Sequence, residues 1–348
     1  MLQRDRFLET IHGRGDHVPF DPLIMHLAAE MFQLDYSKQY CEDPSHIAQC
    51  QITAAKRFGL NHVHVCTDAY REANAWGIEV DLSHHTPMAA TGSKFDFTTF
   101  DAIDIPDLNH NPRIQTRIHA IKLPKQQAPE MCVMGWIEAP FAEICCLFDM
   151  MVVMKDLLRK ENANYLRKCL DRIIPIQFEF AKMQIEAGAD IIGAGDAAIS
   201  QIGPRNYAQT TFSATQHLFK DIKRLVPVLY HTCGDNSGVD RNGNDMLELL
   251  VGTGADILDI DFQVDLRRAK IQIGSRICLR GNTNTSLLAD KFSSSEKVAI
   301  QIQNEVQIGK INGKYIYGAG CEWPWSPLSV AVQNLDIARQ IVEKEGKI

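Results

Sequence analysis

Tyr230-His231-Thr232-Cys233-Gly234 closes a short apolar run that begins at residue 226, and Gly318-Ala319-Gly320-Cys321-Glu322 closes another that begins at residue 314. Both runs read as β-strands. Side chains alternate faces along a strand, so His231 and Cys233 point the same way and Thr232 points the other. Glycine or turn residues follow directly, which puts His231, Cys233 and Cys321 at strand ends. One imidazole and two thiolates at two strand mouths form a metal site suited to zinc, with a fourth position left for chemistry. Taken alone, a His-x-Cys pair reads at least as readily as packing, because cysteine is often a small buried hydrophobe. Cys66, Cys132, Cys145, Cys146, Cys169 and Cys278 lie in apolar stretches without partner spacing and read that way.

The same strand reading extends along the chain. Apolar runs at 17–25, 62–66, 131–136, 190–195, 226–233, 256–261, 277–281 and 314–320 alternate with helical patterns at 44–58, 151–171, 174–187, 210–225, 244–252, 294–308 and 328–344. Gly59, Gly188, Gly252 and Gly309 supply helix stops. Eight apolar strands, mostly followed by helices, predict an α/β fold, a single (β/α)8 TIM barrel over residues 1–348. A helix at 4–12 is expected to pack outside it as an N-terminal extension. The polar, turn-rich stretch 82–127 is expected to form a strand–helix excursion over the barrel mouth, with a helix near 112–121.

The 348 residues suffice for a large core without disulfide staples. A hydrophobic fraction of 45%, a charged fraction of 23% and a net charge of -7 fit a soluble globular protein with no basic stripe for nucleic acid. No apolar stretch approaches the roughly 18–20 residues that span a membrane, so no membrane association is expected. Ten cysteines without a secretion signal predict a cytoplasmic protein.

In a barrel of this kind the chemistry sits at the carboxyl ends of the strands. The polar residues there are Asp68, Glu138, Asp196, His231, Cys233, Asp261, Asn282, Cys321 and Glu322. Asp261, Glu322, Asp196 and Asn282 are the catalytic candidates, and Asp68, Glu138, Trp136, Tyr207 and Trp323 the candidates for lining a substrate pocket. Asp68, Asp196 and Asn282 read equally as helix N-caps. Trp136 and Trp323 read first as core and second as an aromatic wall. Gly193-Ala-Gly195-Asp196 imitates a dinucleotide fingerprint, but Asp196 would stand where a pyrophosphate lies. The Asp- and Asn-rich loop 235–245 lacks the glycine and the bidentate glutamate of a calcium loop.

With these residues in place, the chain resembles the uroporphyrinogen decarboxylase superfamily over nearly its whole length. The resemblance rests on Arg6-Phe-Leu-Glu-Thr-Ile-His12 followed by His17-Val-Pro-Phe, on Gly254-Ala-Asp256, and on Arg280-Gly-Asn282. His231, Cys233 and Cys321 make it look like the zinc- and corrinoid-dependent methyltransferase branch. An arginine-rich N-terminal segment marks the true decarboxylases, and residues 17–34 here hold no arginine. Asp68 stands roughly where those enzymes carry a catalytic aspartate. Asp261 stands where thiol-directed methyltransferases carry a glutamate that can complete the zinc shell. The resemblance implies transfer of a methyl group from a small-molecule methyl donor, a methoxylated aromatic in the leading reading, to the cobalamin of a separate corrinoid protein. That partner is required because no corrinoid-binding motif is present. The alternatives are a methylcobamide:thiol methyltransferase, with Arg280 or Arg205 as the cation for an acidic thiol tail, and a decarboxylase-like lyase. A homodimer is compatible with either.

Overall fold

The computed structural model describes residues 3–157 and 163–348. Seven strands form one parallel sheet in sequential order: β1 (His62–His64), β2 (Cys132–Glu138), β3 (Ile191–Asp196), β4 (Val228–Thr232), β5 (Ile257–Ile260), β6 (Cys278–Thr283) and β7 (Tyr315–Ala319). The eighth predicted strand, 17–25, is present as an extended segment that bonds to both edges. Asp21 N–H donates to the Tyr317 carbonyl at 2.9 Å and Tyr317 N–H to that of Pro19 at 2.9 Å. On the other side Asn61 N–H donates to the Phe20 carbonyl at 3.2 Å. Pro19 and Pro22 have no N–H to extend a ladder, so this strand makes one bridge to the sheet, at Phe20, beside a bridge from His17 to Lys347, and still joins β7 to β1. The result is a TIM barrel.

Helices surround the sheet. Helix Pro44–Phe58 starts with proline at its first position, has Asp43 accepting from the Ser45 and His46 N–H groups, and ends on Gly59 at φ 66°. The excursion after β1 contains a two-residue ladder, Val80–Asp81 with Met88–Ala89, and helix Pro112–Gln127. That helix packs between Pro44–Phe58 and Ala163–Ala187 as the crossover from β1 to β2. Where a break was expected at 171–174, helix Ala163–Ala187 runs through with Pro175 inside it. Residues 158–162, within the predicted helix 151–171, lie outside the described residues.

Alternation along the strands divides the core in two. Ile192, Ala194, Val228, Tyr230, Leu258, Leu279 and Tyr317 face the helices. Cys132, Met134, Trp136, Ile191, Leu229, Ile257, Cys278 and Ile316 belong to the lumen. The N-terminal helix Gln3–Ile11 does not pack outside. Its Phe7 and Ile11, one helical turn apart, join the lumen cluster, while Arg4 N–H donates to the Glu130 carbonyl and its guanidinium pairs with Asp190. The helix therefore stoppers the amino-terminal end of the barrel and leaves the carboxyl end for chemistry.

Candidate metal centre

His231 lies on β4 and shares the lumen face with Leu229. Cys233 follows two residues later, and Cys321 follows the end of β7. Their donor atoms converge: His231 Nε2 is 3.1 Å from Cys233 Sγ and 3.9 Å from Cys321 Sγ, and the two sulfurs are 3.6 Å apart. Zinc bonds of about 2.3 Å to sulfur and about 2.0 Å to nitrogen, arranged tetrahedrally, imply donor separations of about 3.5–3.8 Å. The three residues therefore fit that ion. His231 is buried and both cysteines are partly accessible, as a site with an outward-facing fourth position requires.

The surroundings fix each donor. Asp259 on β5 accepts from His231 Nδ1 at 2.7 Å, which turns Nε2 toward the sulfurs. Asp259 is itself paired with Nη1 of Arg280. Burial opposes charge on His231, but the Asp259 carboxylate outweighs it and raises the imidazole to about 10. The hydrogen bond between the thiols lowers Cys321 well below the ordinary thiol range, with His231 helping, and raises Cys233. Gly234 turns the chain after Cys233 at φ +81°, where an added Cβ would stand 2.3 Å from Ser200 Oγ. Gly320 lets the backbone before Cys321 press against Phe262, whose nitrogen would lie 2.3 Å from an added Cβ.

The other predicted site residues divide by what they touch. Asp261 accepts from Gly234 N–H and Gln263 N–H, both at 2.9 Å, so it shapes the turn after Cys233 and stands outside the three-donor group. Asn282 donates to the Asp261 and Val264 carbonyls and holds that same loop. Glu322 accepts from the Met25 and His26 N–H groups and pairs with the His26 ring, tying the residue after Cys321 to the closing segment. Asp196 shares the outer face of Ile192 and Ala194, where it accepts from Tyr230 O–H at 3.1 Å; the Tyr207 hydroxyl lies 3.4 Å behind. Burial pushes Asp196 up to about 7. Trp323 is fully buried and donates to the Ala331 carbonyl, so it is core. Asp68 is buried between Arg113 and Arg117, at 2.6 and 2.9 Å. Burial raises its carboxyl, but the two guanidinium groups prevail and hold it below the ordinary range. These groups do not meet at one point.

Trp136 and Glu138 do face the lumen. The Trp136 ring centroid is 6.0 Å from that of His231, and its indole lies over Gly193 and Gly195. Glu138, Gly195, His231, Asp259 and Arg280 are successive register partners across β2 to β6. Gly195 thus leaves a gap in one lumen layer between Glu138 and His231. Arg71 holds Glu138 Oε1, while Oε2 would lie 3.5 Å from a Cβ on Gly195. Burial, with Glu72 adding, pushes Glu138 up to about 8 against the pull of Arg71.

Sequence reasoning missed Asp259 and misplaced Arg280, which is buried and shared between Asp21 and Asp259. Ile257, Asp259 and Asp261 alternate at period two with a lumen residue first, and that signal was available. A second three-residue group, Asp21, His62 and His64, also has its potential ligand atoms within 4.8 Å. It is sealed in the barrel, and both imidazoles converge on one oxygen of Asp21 while Arg280 holds the other. A cation there would face a guanidinium and have no way in.

Among the described residues, no helix is long and apolar enough to cross a membrane. The uroporphyrinogen decarboxylase (URO-D) family model matches residues 2–343. A uroporphyrinogen decarboxylase of Legionella pneumophila (strain Paris) is 21% identical over 289 residues, 80% of this chain and 76% of that protein. Another, from Citrifermentans bemidjiense, is 22% identical over 315 residues, 86% of this chain and 87% of that protein. A solved methyltransferase from Methanosarcina mazei shares the fold at a TM-score of 0.78 and 19% identity, with 99% of each chain covered.

Proposed function

The chain belongs to the uroporphyrinogen decarboxylase family, and within it we propose that it is a zinc-dependent methyltransferase. It takes a methyl group from a small donor, a methoxylated aromatic, and delivers it to the cobalamin of a separate corrinoid protein. The observation that carries this reading is the convergence of His231 Nε2 with the sulfurs of Cys233 and Cys321 at the barrel mouth.

His231, Cys233 and Cys321 would hold the metal, and zinc bound there would supply Lewis acidity toward the heteroatom that carries the methyl group. Asp259 keeps the His231 ring oriented, and Asp261 keeps the Gly234 turn that aims Cys233. The Trp136 indole offers a flat face beside the centre on which a planar ring can rest. Glu138, neutral at pH 7 through its burial, can give the proton at Oε2 to an aryl oxide as it departs. That transfer leaves Glu138 as a carboxylate beside Arg71 Nη2, which stabilises it.

Decarboxylation of a porphyrinogen finds less support. It needs cations for several substrate carboxylates. Arg71, Arg113, Arg117 and Arg280 are buried and engaged with the chain's own Glu138, Glu42, Asp68, Asp21 and Asp259. The same engagement removes Arg280 as the anchor of an acidic thiol. A cytoplasmic setting suits the ten free cysteines.

The test is to mix zinc-loaded protein with cob(I)alamin and a panel of methoxybenzoates and phenyl methyl ethers, and to follow methylcobalamin in the visible spectrum. Methylcobalamin should form with wild type and not with Cys321→Ala. No signal with any ether would refute ether demethylation.

A further inference from the structure

A continuous line of buried polar and charged groups crosses the barrel lumen and ends on the metal centre. It begins at β1, where His64 Nε2 lies 2.9 Å and His62 Nδ1 2.6 Å from Oδ1 of Asp21. The other oxygen of Asp21 is 3.0 Å from Arg280 Nε, and the Asp21 carbonyl accepts from Arg280 Nε and Nη2 at 3.0 and 2.7 Å. Arg280 Nη1 pairs with Asp259 Oδ2, the same oxygen that accepts from His231 Nδ1 at 2.7 Å. Every side chain from His62 to Asp259 is at most 1% exposed. The closing segment contributes Asp21, and β1, β6, β5 and β4 contribute the rest.

We infer that Asp21 is a positioning residue for the metal centre, acting through Arg280 and Asp259 on the orientation of the His231 ring. The inference rests on the metal-centre reading above and goes beyond it by assigning a role to a residue far from the donors. A planar guanidinium holds two carboxylates at fixed angles through its fork of N–H groups. Asp21 grips Arg280 with a carboxylate oxygen and a carbonyl, so the guanidinium plane is set from the Asp21 side. That plane sets where Asp259 Oδ2 lies, and Oδ2 sets the rotation of the imidazole about its bond to the strand. Among the described residues Asp259 Oδ1 has no hydrogen-bond partner, so its carboxylate is anchored through Oδ2 alone. His64 Nε2, bonded to Oδ1 at 2.9 Å, completes the grip on Asp21. The pattern explains why a sealed barrel interior tolerates these charges: the Arg280 guanidinium lies between the Asp21 and Asp259 carboxylates, and the line leads to a donor atom.

The experiment measures zinc affinity by competition with a chromophoric chelator, and the ligand-field spectrum of the cobalt(II)-loaded protein, for wild type, Asp21→Asn, Asp21→Glu, Asp259→Asn and the Asp21→Asn/Asp259→Asn double variant. Removing a partner beyond the donors weakens metal binding by about tenfold to a hundredfold. Asp21→Asn should therefore lose affinity in that range and shift the cobalt bands, and Asp21→Glu should recover part of both. The double variant should lose less than the two single losses combined, because both act on one line. Wild-type affinity and an unshifted cobalt spectrum in Asp21→Asn, whatever its thermal stability, would overturn the inference and leave the metal centre standing. Failure of the wild type to bind zinc would overturn both. Should Asp21→Asn not fold, Arg280→Lys takes its place, since a lysine keeps the charge but cannot span two carboxylates.

Discussion

One methyl group added at Gly193 would stand 2.3 Å from Cε3 of Trp136. That contact decides what the Gly193-x-Gly195 spacing is for. The two glycines clear one face of β3 so that an indole can lie across the lumen beside His231. Gly193→Ala should cost about 1–3 kcal/mol in urea unfolding, with a shift in tryptophan emission as the indole is displaced. Unchanged stability and emission would contradict the placement. At the centre itself, Cys233→Ala and Cys321→Ala should each weaken zinc binding, so that less than one zinc per chain survives dialysis as measured by atomic absorption, while the fold persists and excess zinc still loads the remaining ligands. His231, Cys233 and Cys321 were legible because strand alternation and a following turn determine where each donor points. The lumen position of Asp259 was legible from its alternation with Ile257, but its partners and those of Asp21 were not. Their roles depend on pairing between strands far apart in sequence, which alternation within one strand does not reveal.

Among the elements, β6 and helix Ser295–Gly309 meet through an unusual carboxyl. Glu305 on the helix is 8% exposed and bonded to Thr283 Oγ1, which also lies 2.7 Å from the Tyr317 hydroxyl. Burial pushes Glu305 up to about 7 from an ordinary 4.5. Between those values the folded chain holds a proton that the unfolded chain has released. Stability therefore falls as pH rises through that window and levels off above it, by up to about 3 kcal/mol from this group. Glu305→Gln should flatten that slope in urea titrations at pH values of about 5 and about 8. An unchanged slope would mean that Glu305 ionises normally. The long amphipathic helices and the apolar strands were legible from their periods. Short helices such as Arg71–Trp76 and Leu266–Gln272 were not, because five to seven residues carry too little periodicity. The outside placement of helix Gln3–Ile11 failed for another reason: Phe7 and Ile11 mark a buried face without saying which core receives it.

Over the whole molecule, the N-terminal helix closes one end of the barrel, and β2 to β7 bring Glu138, Trp136 and the three candidate metal donors to the other. The barrel was legible because eight apolar runs alternate with helices, even though the closing segment pairs with the sheet by a single bridge. Glu138→Gln should slow demethylation of ethers whose phenols are weak acids far more than that of nitrophenyl ethers, whose oxides depart without a proton. An equal effect on both would remove Glu138 as the proton donor. The central claim concerns the ion, and X-ray absorption at the zinc edge of the purified, zinc-loaded protein tests it most directly. The account predicts two sulfur neighbours at about 2.3 Å and nitrogen or oxygen at about 2.0–2.1 Å, with one sulfur lost in Cys321→Ala. A shell without sulfur, or one unaltered in Cys321→Ala, would contradict it.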